Sequence, residues 1–326
     1  MGKIIASLLG AYLVICTFLG LFWWNTEPDP FDVVERAEAR AATRGEELVV
    51  GYVTTSTVIE LAETLLTKSG GYLSNDIAPP SVLMDNIPEW EFGVIVQLRD
   101  VSRAFRSDFS RSLSQSKEDV DLSEAEGKFF FDNSSWMFPQ TEDEYRDGIR
   151  LFERYLKRLA DESRPDGQFY ARADNLRQYL QSVETRLGSL AQRLASSVGD
   201  REVNIDLAGD AAARQSTAAP KEQNVRTPWL ELDNVFYEAR GQAWALLHLL
   251  KAMKVDFREV LEAKNALVSV DRIIQKLEPT QEFVWSPMIL NGKGLGFVAN
   301  HSLVMASYIA RVNAATTDLR VLLSEG

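Results

Sequence analysis

The chain has 326 residues, of which 45% are hydrophobic and 25% are charged. This composition is typical of a folded protein of one large or two small domains and excludes a chain that is disordered throughout. The formal net charge is −12. An acidic protein of this kind is a poor binder of nucleic acid, and bulk charge would not hold it to anionic lipid headgroups.

The first segment, from Ile4 to Trp24, contains no charged side chain. As a helix it is long enough to cross a hydrocarbon layer about 30 Å thick. Trp23 and Trp24 stand where an interfacial aromatic belt is expected, and a polar, proline-containing segment follows. No small-x-small site closes the segment, so we predict an uncleaved transmembrane anchor over residues 1–24. A cleaved export signal is the alternative.

Charge predicts the orientation of this anchor. Lys3 and the α-amino group precede the apolar segment, whereas Glu27 and Asp29 follow it. The more positive side normally stays in the cytoplasm, so residues 25–326 are expected on the far side of the membrane. The single cysteine, Cys16, lies within the apolar segment. The exported part would then carry no thiol, which is compatible with an oxidising compartment.

Residues 25–326 show mainly helical periodicity. Apolar residues recur at helical spacing over 31–44 and 58–66 and again from about Trp90. The intervening Leu48 to Val53 is a short β-prone run. Tyr72 to Pro88 contains three prolines and is predicted to be a loop.

Two helices in the middle of the chain carry heptad seams, and the turn 163–167 separates them. This pattern predicts a long antiparallel helical hairpin. An intermolecular coiled coil is the alternative, and a homo-oligomer or a complex with another protein would then form. In that case Leu187 and Leu190 are the predicted partner seam.

The segment 199–226 is rich in alanine and polar residues and has little to bury, so we predict a mobile loop. Helices resume over 230–254, 257–277 and 300–323. The predicted fold class is therefore mainly α. An N-terminal transmembrane helix precedes one multi-helix bundle, which the loop interrupts.

A glycine-rich stretch precedes the last helix and includes Gly292, Lys293 and Gly294, followed by Asn300 and His301. Closely spaced glycines allow backbone amides to approach an anion, the lysine adds positive charge, and a helix N-terminus follows. These five residues are a candidate ligand or lipid-headgroup site. The alternative is a glycine-rich turn in which Asn300 or Ser302 caps the helix.

No motif for zinc, acyl-transfer or P-loop chemistry is present in the sequence, and we expect no cofactor and no metal. His248 lies in a strongly apolar helix and is interpreted as a core residue. Glu142, Asp143 and Glu144 resemble a carboxylate site, but acidic residues at a helix start also favour its positive dipole end.

Several segments together resemble a family of proteobacterial inner-membrane proteins that is classed as a domain of unknown function. They are 70–76, 84–88, 169–176, 236–241, 284–287 and 297–302. The resemblance spans almost the whole chain. It implies a Gram-negative bacterium and a single N-terminal span in the inner membrane, and it brings no activity, cofactor or catalytic residue with it.

From these observations we expect a membrane-anchored, periplasmic interaction or scaffold protein of the cell envelope. Its partners would be the inner membrane, through one span, and another envelope protein. A module that binds a ligand or a lipid headgroup is the first alternative. An envelope hydrolase with a dispersed carboxylate site is the second, although the sequence favours a protein that is not an enzyme.

Overall fold

The computed structural model describes residues 2–20, 24–112, 117–161, 163, 166–203, 222–286, 288–292 and 297–325. Over these ranges the protein is mainly helical, and the predicted mainly α fold class is confirmed. The helices are α1 Gly2–Phe18, α2 Val33–Arg44, α3 Tyr52–Thr67, α4 Asn86–Ala104, α5 Val120–Phe129, α6 Thr141–Leu159, α7 Ala173–Ala195, α8 Leu232–Asp256, α9 Arg258–Ala263, α10 Leu267–Leu277 and α11 His301–Ser324. Two short strands, β1 Asp200–Val203 and β2 Glu222–Val225, pair antiparallel.

The centre of the bundle is the pair α4 and α8, which run parallel and in contact. Gln97 lies opposite Gln242, with 3.4 Å between their side-chain amide atoms. A Cβ atom at Gly241 would lie 2.0 Å from the carbonyl oxygen of Trp90, and one at Gly93 would lie 2.2 Å from the carbonyl oxygen of Glu238. Only glycine at both positions permits this close backbone approach.

The bundle has two ends with different surfaces. One end of the bundle contains the C-terminus of α3 and the N-termini of α4, α8 and α11. The C-terminus of α1 lies beside this end. A methyl group at Gly20 would be 3.3 Å from the Pro80 side chain. We call this the α1 end. At the opposite end, the rings of Phe109 and Phe257 lie 5.5 Å apart and α3 begins.

The predicted helical hairpin is wrong. Helices α6 and α7 have the expected apolar seams, but they do not pack on each other. Helix α6 lies against α3 and α5, and α7 lies along α11 and also touches α4. A heptad pattern identifies the face of a helix that is buried, but it does not identify the helix that buries it. Residues 164 and 165 of the predicted turn lie outside the described residues.

The predicted β-prone run at Leu48 to Val53 is also wrong. Val50 and Gly51 form a turn and α3 begins at Tyr52. The backbone N–H of Gly51, at a φ of 91°, donates to the Asp256 carboxylate over 2.8 Å. This long-range bond fixes the helix start, which local β propensity cannot anticipate.

Two segments that were predicted as loops contain regular secondary structure at their ends. Helix α4 begins at Asn86, so Pro88 lies in its first turn, where a missing N–H costs nothing. In the segment 199–226, β1 and β2 pair at the two ends. Residues 204–221 lie outside the described residues, so the mobility of this segment stays a prediction.

Helix α1 contributes no buried side chain. It touches the bundle through the Tyr12 hydroxyl, which donates to the carbonyl of Pro79 over 3.2 Å. After α1, the amide of Trp24 donates to the carbonyl of Leu19 over 2.8 Å. None of the helices in the described part of the chain is both long and apolar enough to cross a bilayer.

Candidate functional site

The segment 24–32, which joins α1 to the bundle, is fixed at three points. First, a Cβ atom at Gly70 would lie 2.8 Å from Cγ of Trp24, so the indole covers a glycine backbone at the end of α3. Of the two tryptophans predicted at a membrane interface, Trp24 is thus partly buried on the bundle. Trp23 lies outside the described residues.

The second point is Arg240 of α8, whose side chain is 8% exposed. Its Nε donates to both carboxylate oxygens of Glu27 over 2.9 Å. Its Nη1 donates to the carbonyls of Thr280 (3.0 Å) and Glu282 (2.8 Å). One guanidinium therefore ties the joining segment to α8 and to the turn after α10. These contacts need several N–H donors in one plane, which the guanidinium of arginine provides and the ammonium of lysine does not.

The third point is His248. The backbone N–H of Phe31 donates to its Nε2 over 2.9 Å, and the Phe31 ring stacks on the imidazole with 4.0 Å between centroids. Its Nδ1 lies 2.7 Å from the carbonyl of Trp244, so Nδ1 carries the proton. Burial lowers the pKa of His248 to about 4, which keeps the ring neutral. Both nitrogens are engaged, in agreement with the predicted core role.

A buried ion pair organises the chain after α3. The Lys68 ammonium lies 2.5 Å from Oε1 of Glu91, and the two side chains are 2% and 0% exposed. The Glu91 carboxylate also accepts from the amides of Leu73 (2.9 Å) and Ser74 (2.8 Å). These bonds fix residues 71–74 immediately before the proline-containing loop. Burial raises the pKa of Glu91, and the lysine and the amides act in the opposite direction.

The described residues on the two sides of the glycine-rich stretch are joined by hydrogen bonds. The amide of Gly292 donates to the carbonyl of Ala299 over 2.9 Å, and Asn291 and Asn300 form an antiparallel bridge. The side chain of Asn300 accepts from the amide of Leu303 over 2.8 Å and caps α11. The Nδ1 atom of His301 accepts from the amide of Leu290 over 3.1 Å.

Three of the five candidate ligand residues thus bind other residues of their own chain. The Gly292 amide, the Asn300 side chain and His301 Nδ1 all have intramolecular partners. Lys293 and Gly294 lie outside the described residues. Of the alternative stated for this stretch, the cap of α11 by Asn300 is observed.

The predicted partner seam lies inside the bundle. Leu187 is 0% exposed and Leu190 is 1% exposed, and α7 packs along α11 of the same chain. The seam is intramolecular, because α11 occupies the face that a partner helix would need. The predicted contact of Leu187 and Leu190 with a second protein is therefore corrected. The sequence shows the seam but not its long-range partner, which is more than a hundred residues away.

The acidic cluster at the start of α6 does not converge on one point. Glu142 accepts from the Asn75 amide over 2.6 Å, Glu144 pairs with Lys128 over 2.8 Å, and Asp143 pairs with an arginine one turn along. Each carboxylate has a separate structural partner. Within the described residues, no group of three or more His, Cys, Asp or Glu side chains is arranged to hold a metal ion.

The loops at the α1 end expose large apolar side chains. Phe138 is 94% exposed and Trp285 is 92% exposed. The loop that contains Phe138 is tied to this end because the Tyr72 hydroxyl donates to the carbonyl of Asn133 over 2.7 Å. The other members of this exposed set in the loops are Ile77, Val82, Leu83, Trp136, Met137, Trp229, Leu230, Phe283, Met288, Phe297 and Val298.

Sequence reasoning missed most of this junction. Arg240, Glu27, Lys68 and Glu91 carry no local motif, because each acts on a partner distant in the chain. One signal was available: Glu91 interrupts an apolar helix face, and a charged residue in such a position needs a partner if it is buried.

The sequence matches one protein family, described as an uncharacterized protein conserved in bacteria (DUF2333), over residues 2–326. Because the match covers the chain almost from end to end, the protein belongs to this family. This confirms the predicted membership of a bacterial family classed as a domain of unknown function. No curated protein and no solved structure is significantly similar to the chain.

Proposed function

We propose that this protein is a membrane-anchored interaction or scaffold protein of the bacterial cell envelope. In this proposal α1 and the residues up to Trp24 span the inner membrane once. The N-terminus lies in the cytoplasm and the helical bundle lies in the periplasm. Its loops at the α1 end contact another envelope protein.

The observation that carries the proposal is the uncovered apolar surface of α1. Ile4, Leu13 and Val14 point in different directions around the helix and are 66%, 60% and 69% exposed. Apolar surface left in water costs about 25 cal/mol per Å². A bilayer would cover all sides of such a helix at once, whereas one packed face of a partner would cover only a stripe.

The orientation rests on charge. Lys3 is the charged side chain before the apolar segment, and Glu27 and Asp29 follow it. The three fixed points between residues 24 and 32 support a further part of the proposal. They hold the bundle at a constant orientation relative to α1, so the same loops always face the membrane side.

Cysteine labelling tests the anchor and its orientation. The only cysteine is Cys16, so Cys16→Ser gives a background without thiols. Single cysteines are then placed at Gly2, which leaves the charge of Lys3 in place, and at Val268, which is 72% exposed on α10. We expect a membrane-impermeant maleimide to label Val268→Cys when only the outer membrane is permeable. Gly2→Cys should react only after the inner membrane is opened, and the reverse pattern would refute the orientation.

Membrane retention tests the anchor by a separate measurement. The double variant Leu8→Arg with Val14→Arg places two charges in the apolar segment, and we expect the protein to leave the membrane fraction on alkaline extraction. The matched control, Leu48→Arg with Val120→Arg, changes exposed apolar residues of the bundle and should stay in the membrane fraction. Equal retention of both variants would contradict the proposal.

Site-specific photo-crosslinking tests the interaction role. A photoreactive residue at Phe138 or Trp285 should give a reproducible adduct with one envelope protein in intact cells. The same residue at Val268 is the control and should not give that adduct. If Phe138 and Trp285 crosslink to nothing beyond the background seen at Val268, the interaction role is refuted while the anchor stands.

A further inference from the structure

The loop between α3 and α4 has an uncharged, mostly apolar tip. Residues 77–84 contain no charged side chain, and Asp76 and Asp85 flank them on the two sides. Ile77 is 61% exposed, Val82 is 50% exposed and Leu83 is 80% exposed. Three large aliphatic side chains are thus presented to the surroundings by one short loop.

This tip lies alongside α1. The Tyr12 hydroxyl donates to the Pro79 carbonyl over 3.2 Å. Further along, a methyl group at Gly20 would be 3.3 Å from Pro80 and 3.8 Å from the sulfur of Met84. Tyr12 and Gly20 are eight residues apart, which in a helix is about 12 Å. The tip therefore contacts the C-terminal half of α1 and the residues just after it, on the N-terminal side of Trp24.

Part of the backbone of the tip is hydrogen-bonded within the tip. The Ala78 carbonyl accepts from the Ser81 hydroxyl (2.9 Å) and from the Val82 amide (3.3 Å). The Leu83 amide donates to Pro80 over 3.0 Å and the Met84 amide to Ser81 over 2.8 Å. The two prolines have no N–H to satisfy. Hydrogen bonding of these groups lowers the cost of moving them out of water, so a shallow position at the boundary of the hydrocarbon layer is accessible to this loop.

The base of the loop is rigid. Glu91 and Lys68, both buried, hold residues 71–74 through the Leu73 and Ser74 amides. On the other side the loop passes directly into α4 at Asn86. The tip is therefore held out from the bundle beside α1 and is not free to fold back and bury its apolar side chains.

We propose that residues 77–84 are a second membrane-inserting element, whose apolar tip enters the same bilayer leaflet as the periplasmic half of α1. The inference rests on the proposed membrane span. Its ligand is the acyl region of lipid, because the tip offers aliphatic side chains and no positive charge. Asp76 and Asp85 stay at the water boundary, which makes the insertion shallow.

Fluorescence in reconstituted vesicles tests this inference. In the full-length Cys16→Ser background, an environment-sensitive fluorophore is attached to a single cysteine at Leu83. Matched variants carry it at Leu13, in α1, and at Val268, on the bundle surface. The vesicles are phosphatidylcholine with or without a spin-labelled lipid. We expect the label at Leu83 to show the blue-shifted emission and lipid quenching seen at Leu13, and the label at Val268 to show neither.

The outcomes separate the two proposals. Quenching at Leu13 but not at Leu83 would refute the insertion of the loop and leave the anchor intact, and the tip would then be free for a protein partner. Absence of quenching at Leu13 would refute the anchor and the insertion together. A second label at Val82 repeats the measurement on a neighbouring side chain. Disagreement between Val82 and Leu83, with only one of them quenched, would also refute insertion of the tip as a unit.

Discussion

The two ends of the bundle use a buried carboxylate for different purposes. At the α1 end, Glu91 holds the chain that leads into an exposed apolar loop. At the opposite end, Asp256 accepts from the amides of Gly51 (2.8 Å) and Thr54 (2.6 Å) and from the Thr54 hydroxyl, and thereby caps α3 from a distant helix. Glu91 thus supports an exposed loop, whereas Asp256 caps the N-terminus of α3.

The exposed apolar residues differ in the same way. The α1 end exposes aromatic side chains such as Phe138 and Trp285, whereas the described residues of the opposite end expose only aliphatic ones, chiefly valines such as Val120 and Val268. Scattered valines are normal on a protein surface, but a group of exposed aromatic residues marks an interaction site. This difference in exposed side chains is why we propose the interaction surface at the end beside α1.

The largest expected effect is at Glu91. Replacing it in the variant Glu91→Gln leaves the buried Lys68 ammonium without a counter-charge, which should lower the free energy of unfolding by about 3–5 kcal/mol. Urea denaturation of the detergent-solubilised protein measures this. The control Glu262→Gln removes an exposed partner of Arg258 and should change little. A small loss of unfolding free energy for Glu91→Gln would mean that the Lys68–Glu91 ion pair is not required to stabilise the α1 end.

A smaller effect is expected at the opposite end. Asp256→Asn keeps the shape of the side chain but removes the charge that three donors share. We expect a loss of about 1–2 kcal/mol, as for a helix cap. Hydrogen exchange at the Thr54 amide should increase as well. If Asp256→Asn lowers the free energy of unfolding as much as Glu91→Gln does, the two buried carboxylates are equally important for stability, contrary to our expectation.

The pH dependence of stability tests the contact between His248 and the segment 24–32, which joins α1 to the bundle. The pKa of His248 is about 4 in the folded chain, against an ordinary 6.5. The unfolded chain thus takes up a proton below about pH 6.5, and the folded chain does so only near pH 4. The contribution of His248 to stability is complete above pH 6.5 and is lost as the pH falls towards 4.

The variant His248→Gln removes this titration and keeps an acceptor for the Phe31 amide. Between pH 7 and pH 4.5, the unmodified protein should lose more thermal stability than the variant. Thermal unfolding followed by circular dichroism at both pH values gives the comparison. Equal losses of thermal stability in the two proteins would show that the protonation of His248 does not affect stability in this pH range.

The smallest effect is expected for the exposed aromatic residues. Phe138→Ser and Trp285→Ser should each change the free energy of unfolding by less than about 0.5 kcal/mol, because neither side chain is packed in the core. The same urea titration measures this. A loss above about 1 kcal/mol would indicate packing that the exposure of these residues does not suggest, and the binding role of the α1 end would need another explanation.

The sequence by itself determined the mainly α fold class, the positions of most helices and the bacterial family. Helix periodicity, glycine C-caps such as Gly45 and the heptad seams are local signals, so they are readable without a structure. The cap of α11 at Asn300 was readable for the same reason, as one of two stated alternatives.

Only the tertiary structure decided which faces meet. The partner of the Leu187 and Leu190 seam is α11, the counter-ion of Arg240 is Glu27, and α3 starts where the remote Asp256 accepts its amides. Each of these contacts joins residues more than a hundred positions apart. Local propensity and spacing carry no information about such pairs, because burial selects a partner only after the whole chain has packed.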